Sequence, residues 1–201
     1  MGVWRDLLSQ IIHKPPPPTA SFAAKTILVT GANTGLGKEA ATHFVRLGAT
    51  KVILAVRPDP QDEPSGEMAK ADIEAATGSR GVVEVYELDY SRYASVLAFV
   101  SEMETRLERL DAVVLNAGIA TETFALVEGN ESSITVNVVS TVLLAVLLLP
   151  ALRASAERWG TEPVMTVVNS GAHAMCAFPE RRRENALAVL NDGRMADMGV
   201  R

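Results

Sequence analysis

Residues Lys25–Gly37 read KTILVTGANTGLG, a short apolar run that breaks into a glycine-rich turn. A helical pattern follows at once, with apolar positions Leu36, Ala40, Phe44 and Leu47 and a stop signal at Gly48. In a strand–turn–helix context each glycine has its own task. Gly31 permits the tight turn, Gly35 lets backbone approach a pyrophosphate, and Gly37 lets the helix pack closely on the strand. The helix start adds unpaired N–H groups and a positive dipole end. The turn therefore points to a dinucleotide phosphate, with Gly31, Asn33, Gly35, Leu36 and Gly37 as its contacts. The bland alternative is a tight turn with no ligand.

Working outward, strand-like and helix-like segments alternate. Lys25–Thr30, Lys51–Val56, Val82–Leu88, Asp111–Leu115 and Pro163–Asn169 read as strands. Leu36–Leu47, Gln61–Thr77, Tyr93–Leu110 and Glu131–Ala154 read as helices, and a further helix is expected within Arg183–Met198. Such alternation predicts an α/β fold, a doubly wound parallel sheet of Rossmann type with about five strands. Binding then belongs at the carboxyl ends of the strands.

The end of the second strand bears on the cofactor. A site that prefers NAD places Asp or Glu there to hold the ribose 2′-OH. Here Val56 is followed by Arg57, whose guanidinium suits a 2′-phosphate, so the expected cofactor is NADP(H). A solvated surface arginine is the alternative, and Asp59 is the nearest competing carboxylate.

The rest of the composition narrows the field. The chain has 201 residues, 48% of them apolar and 21% charged, with a net charge of −5. That is a globular composition without the basic face a nucleic-acid binder needs. A single cysteine, Cys176, excludes a disulfide framework and a Cys-rich zinc site, and no metal is expected. Residues 1–18 read as an arm and proline spacer, and 19–201 as the domain. In the arm, Val3, Leu7, Leu8, Ile11 and Ile12 recur at helical spacing beside Trp4. This is a surface helix by preference, with a weak membrane-interface anchor as the alternative on a cytoplasmic protein. The apolar run Val136–Leu152 is interrupted by Asn137, Ser140, Thr141 and Pro150, so a buried helix is expected rather than a membrane span.

Further motifs fall in order along the strand ends. Leu88-Asp89 follows the third strand, Asn116-Ala117-Gly118 follows the fourth, Asn137 lies in the long helix and Ser170 ends the fifth strand. Together with Thr30-Gly31-x-x-x-Gly35-x-Gly37 they resemble the short-chain dehydrogenase/reductase family. The stretches NTGLGKEAA, RLGATKVILAVR, SITVNVVSTVLLAVLLLP and HAMCAFPERR are similar to fungal reductases of secondary metabolism that resemble retinol dehydrogenases. Each residue also has a plain reading: Asp89 as a helix cap, Asn116 as a turn residue, Asn137 as a satisfied helix residue, Ser170 as a strand-end hydroxyl.

The resemblance implies an oxidoreductase moving hydride between NADP(H) and a small hydrophobic ketone or alcohol. It implies Asp89 at the adenine, Asn116 and Gly118 bordering the cofactor, and Ser170 and Asn137 as catalytic residues. It also implies a Tyr-x-x-x-Lys motif after Ser170, because a phenol with pKa near 10 needs a nearby cation to exchange protons at neutral pH. The last tyrosine is Tyr93 and the last lysine is Lys70. NALAVLNDGRMADMGVR resembles the segment just before that tyrosine, so the chain is expected to be truncated before the catalytic helix and inactive alone. The alternative is a non-catalytic dinucleotide- or partner-binding remnant. An exposed fifth-strand edge is then expected to pair with another copy or a relative.

Overall fold

Thr26–Thr30 (β1) is buried at every position, as a strand covered on both faces must be. Ile27 and Val29 pack into one apolar layer and Leu28 into the other. The computed structural model describes residues 16–58, 65–171, 177–195 and 198. The expected N-terminal helix, Asp59 and Cys176 lie outside those residues. After β1 come α1 (Gly35–Arg46), β2 (Lys51–Val56), α2 (Gly66–Thr77), β3 (Val83–Glu87), α3 (Tyr93–Arg106) and β4 (Ala112–Leu115). A hairpin of β5 (Leu126–Val127) and β6 (Asn130–Glu131) leads into the long helix α4 (Ser132–Trp159). Then come β7 (Val164–Val167), a 3-10 turn over Pro179–Arg182, and α5 (Ala186–Leu190).

The main sheet has the order β3-β2-β1-β4-β7 with every pair parallel. Chain order reverses at β1, which opens a crevice between the ends of β1 and β4. One face carries α1 and α2, with Ala69 and Ile73 of α2 in one apolar layer with Val52 and Leu54. The other carries α3 and α4, with Phe99 of α3 and Leu144 and Leu148 of α4 in one apolar layer with Ile53. The doubly wound α/β expectation is therefore met.

Several boundaries differ from the sequence reading, each for a local reason. α3 stops at Arg106 rather than Leu110, because Leu107 is extended and the Leu110 N–H donates to Ser155 Oγ at 2.7 Å. α4 runs past Ala154 to Trp159 and ends on Gly160 in the left-handed region. Pro150 does not end it, because it lies on the solvent side, where a carbonyl left without its donor meets water. By length and composition α4 is long and apolar enough to cross a membrane, yet Leu144, Leu148 and Leu152 are buried against the sheet face. The helix expected over Arg183–Met198 shrinks to Ala186–Leu190, where Leu190 is the single buried residue. The β5–β6 hairpin was not foreseen. Its Glu128-Gly129 turn has φ of 52° and 80°, and two-residue strands carry no readable alternation.

The opposite end of the sheet is fastened by one buried carboxylate. Asp111 accepts the Thr26 N–H at 2.8 Å and a two-pronged contact from Arg109 at 2.7 and 2.9 Å. Burial alone would raise its pKa, but the Arg109 guanidinium and the Thr26 N–H outweigh that and hold it below the ordinary value. A lowered carboxylate pKa adds stability above the unfolded value near 4 and loses it as pH falls through the folded value. Asp111→Asn is expected to cost about 2 kcal/mol at pH 7. In urea unfolding, the gap between wild type and variant stays level from pH 8 to 5 and narrows below pH 4.

Candidate functional site

The ends of β1 to β4 open on a cleft of about 490 Å³. At its base the turn after β1 is packed too tightly for side chains. A Cβ on Gly31, at φ 63°, would lie 2.9 Å from Ala117 Cα. A Cβ on Gly37 would lie 2.5 Å from both Asn116 Nδ2 and the Gly31 carbonyl oxygen. Gly35 differs: its φ is 54°, and nothing stands within 4 Å of where a Cβ would be. The outer glycines thus bring backbones together, and the middle one keeps the mouth of α1 open. Thr34 precedes α1 in an extended conformation and makes no side-chain cap, and the first turn holds no acidic residue. The α1 start is therefore a cradle shaped for an anionic group.

Thr30 and Asn116 lock this turn to β4. Thr30 Oγ1 accepts the N–H groups of Asn116 and Ala117, each at 3.0 Å. Asn116 Nδ2 donates to the carbonyls of Thr30 at 3.0 Å and Gly31 at 3.2 Å. Beyond it, Asn137 staples the following loop: its Oδ1 accepts the Ile119 N–H and its Nδ2 donates to the Ile119 carbonyl, both at 2.8 Å. Gly118 leaves room for that staple, since a Cβ there would press to 3.1 Å from Asn137 Oδ1. Asn137 lies in a π-helical stretch of α4, Thr135–Ser140, the kind of local widening that recurs at functional sites.

Gly31, Asn33, Gly35, Leu36, Arg57, Asp89, Asn116 and Gly118 all line the cleft. Gly37 sits behind it as packing, and Asn137 acts from behind the Ile119 loop. Ser170 stands three residues past the end of β7, exposed and outside the cleft lining, its N–H donating to Asn169 Oδ1 at 2.7 Å. Asp89 does not cap α3. Its Oδ1 accepts the Ser91 N–H and hydroxyl, while the α3 start is capped from afar by Glu128 Oε1 on the Tyr93 N–H at 3.0 Å. The sequence reading passed over Tyr90 and the apolar wall of Ile119, Val127 and Val136. It quoted Thr30 at the head of the glycine motif without giving its hydroxyl a task, and Tyr90 was marked only by its place beside Asp89.

With this geometry in view, likeness to known proteins is informative. A family model described as short chain dehydrogenase matches residues 25–179. The chain belongs to the short-chain dehydrogenase family. It is 44% identical over 201 residues to the short-chain dehydrogenase anuD of Penicillium roqueforti, covering 100% of this chain and 51% of that one. It is 44% identical over 194 residues to the short chain dehydrogenase/reductase dmxR8 of Cryptosporiopsis, covering 95% and 59%. The chain thus spans about half the length of the curated relatives it matches. Among solved structures it is similar to an NADH-dependent reductase A1-R′ complexed with NAD, with a TM-score of 0.63 and 25% identity over 78% of this chain and 63% of that one. It is also similar to a short chain dehydrogenase of Escherichia coli CFT073 complexed with NADPH, with a TM-score of 0.61 and 25% identity over 92% and 67%. Short-chain dehydrogenases bind a nicotinamide dinucleotide and act on small molecules.

The glycine geometry separates two substitutions. Gly35→Ala meets open space and is expected to cost about 1 kcal/mol for its left-handed backbone. Gly37→Ala drives a methyl into backbone and an anchored amide and is expected to cost about 3 kcal/mol. Thermal unfolding of the two variants side by side checks the order.

Proposed function

We propose that this chain holds NADP(H) at the carboxyl edge of its sheet, as part of a reductase acting on a small hydrophobic ketone or alcohol. The cleft fits the group: the α1 cradle suits a pyrophosphate, and Gly31 and Gly37 allow backbone approach that a Cβ would block. The observation that carries the choice of NADP(H) is Arg57, which lines the cleft directly after Val56, where a site for NAD would place a carboxylate. A guanidinium presents paired N–H groups to a 2′-phosphate.

In this reading Gly31, Asn33, Gly35, Leu36 and Gly37 hold the pyrophosphate. Asp89 holds the adenine side, and Asn116 and Gly118 border the nicotinamide side. When bound, the nicotinamide supplies or accepts the hydride. Ile119, Val127 and Val136 give the cleft an apolar wall, which supports a hydrophobic substrate. Ser170 donates its hydroxyl to the developing oxyanion, and Asn137 holds the Ile119 loop and a water for proton relay. Because these 201 residues hold no Tyr-x-x-x-Lys after Ser170, hydride transfer by them alone is not expected. Carbonyl reduction by the purified 201-residue chain overturns that part.

Calorimetric titration tests the cofactor. NADPH is expected to bind at least about tenfold more tightly than NADH. Arg57→Ala is expected to weaken NADPH by about 10- to 100-fold, the worth of a charge-assisted contact, and to leave NADH within about twofold. Equal binding of the two nucleotides by wild type overturns the choice of NADP(H).

A second reading, a partner-binding role, is favoured by one surface. Val138, Val142, Val146 and Leu149 form an exposed apolar stripe on α4, and Val164 and Val167 of β7 and the following Val168 are exposed, with β7 the edge strand of the sheet among the described residues. Edges and patches of this kind favour association, here with a second copy. Sedimentation velocity is expected to show self-association at micromolar concentration, reduced by Val142→Glu with Val146→Glu. A wild-type monomer with a sharp cooperative melt overturns it.

A further inference from the structure

Tyr90 follows Asp89 on the wall of the cleft, with 5% of its surface exposed. Its backbone carbonyl accepts the Ser140 hydroxyl at 2.6 Å, which ties it to the π-helical stretch of α4. Its side-chain hydroxyl faces those of Thr30 and Thr141. Among the described residues, Tyr90 and Thr161 bury a hydroxyl oxygen that closes no hydrogen bond. A buried polar atom left this way is costly and calls for a reason.

The neighbours of Tyr90 are each half used. Thr30 Oγ1 already accepts from two backbone N–H groups, which fills its acceptor capacity and leaves its proton to give. Thr141 Oγ1 gives its proton to the Val136 carbonyl at 3.0 Å and keeps acceptor capacity. A phenol between them has one proton to give and lone pairs to accept. The three hydroxyls therefore match as a chain in one direction: Thr30 to Tyr90, Tyr90 to Thr141, Thr141 to the Val136 carbonyl. Burial pushes the phenol up to about 12, so it keeps its proton at ordinary pH.

We propose that Tyr90 is a positioning residue whose hydroxyl closes the Thr30–Tyr90–Thr141 chain when a dinucleotide fills the cleft, fixing the Asn116–Gly118 turn against the helical stretch that carries Asn137. The proposal rests on the dinucleotide reading of the cleft. Ligand contacts would fall on Asp89 and on Asn116–Gly118. The first adjoins Tyr90 in sequence, and the second is bonded to Thr30, so a small shift at either bears on the gap. The open cleft carries an unsatisfied hydroxyl and the filled cleft does not. That gives the effect of removing the hydroxyl opposite signs in the two states.

The test uses the 201-residue chain, with thermal unfolding in the absence of nucleotide and calorimetric titration with NADPH. Tyr90→Phe is expected to melt at or above wild type when free, and to bind NADPH about three- to tenfold more weakly, the worth of one neutral hydrogen bond. Thr141→Val is expected to weaken NADPH similarly, and the double variant to bind no worse than either single one, because both remove the same link. Wild-type affinity in Tyr90→Phe overturns the proposal. So does a free Tyr90→Phe that melts below wild type while binding weakens, since that is a packing role, and so does additive loss in the double variant. Failure of wild type itself to bind NADPH overturns the dinucleotide reading and removes this proposal with it.

Discussion

At the carboxyl end of β1 the chain turns in a space that admits no Cβ at Gly31 or Gly37. The close approach to Ala117 and Asn116 that results is the constraint on which the cleft depends. It brings the ends of β1 and β4 near enough for Thr30 to accept two N–H groups and for the Asn116 amide to reach back to two carbonyls. With β4 fixed, the loop behind it is fixed too, and Asn137 can hold Ile119 with two short bonds. Removing side chains at two positions thus organises three segments far apart in sequence.

The two faces of the sheet differ in how completely they are covered. Ile27, Val29, Val52 and Leu54 are closed beneath α1 and α2, whose Ala41, Ala69 and Ile73 are buried with them. The α3–α4 face has an equally dry centre around Phe99, Leu144 and Leu148, but its margin at α4 and β7 leaves valines in water. Each well-buried residue of that size contributes roughly 1.5–3 kcal/mol, so the margin is where the domain has most stability left to gain.

Much of the fold was legible because its signals are local and periodic. KTILVT, KVILAV and the turn glycines each announce strand or turn by composition alone, and the strand order follows from chirality rules. The cleft residues that were legible, Gly31, Gly35, Arg57, Asp89 and Asn116, sit immediately after strands, where position in sequence and position in space coincide. What was not legible depends on distant partners. Glu128 caps a helix that begins 35 residues earlier, Leu110 leaves its helix for the Ser155 hydroxyl, and the role of Thr30 exists only because β4 lies beside it.

The short hairpin before α4 has a bearing on how this region tolerates change. Glu128 at its tip caps α3, and the fully buried Glu131 at its end caps α4 through the Ser133 and Ile134 N–H groups, while its own N–H is held by Asn191 at 2.7 Å. The starting points of two helices are therefore set by one turn. Inserting or deleting one residue between Glu128 and Glu131 would change the span between the two caps, so the hairpin could no longer hold both helix starts at once. Substitutions at the exposed tip are a modest matter by comparison. The turn thus works as a spacer between two helix caps, and its length is what the two helix starts share.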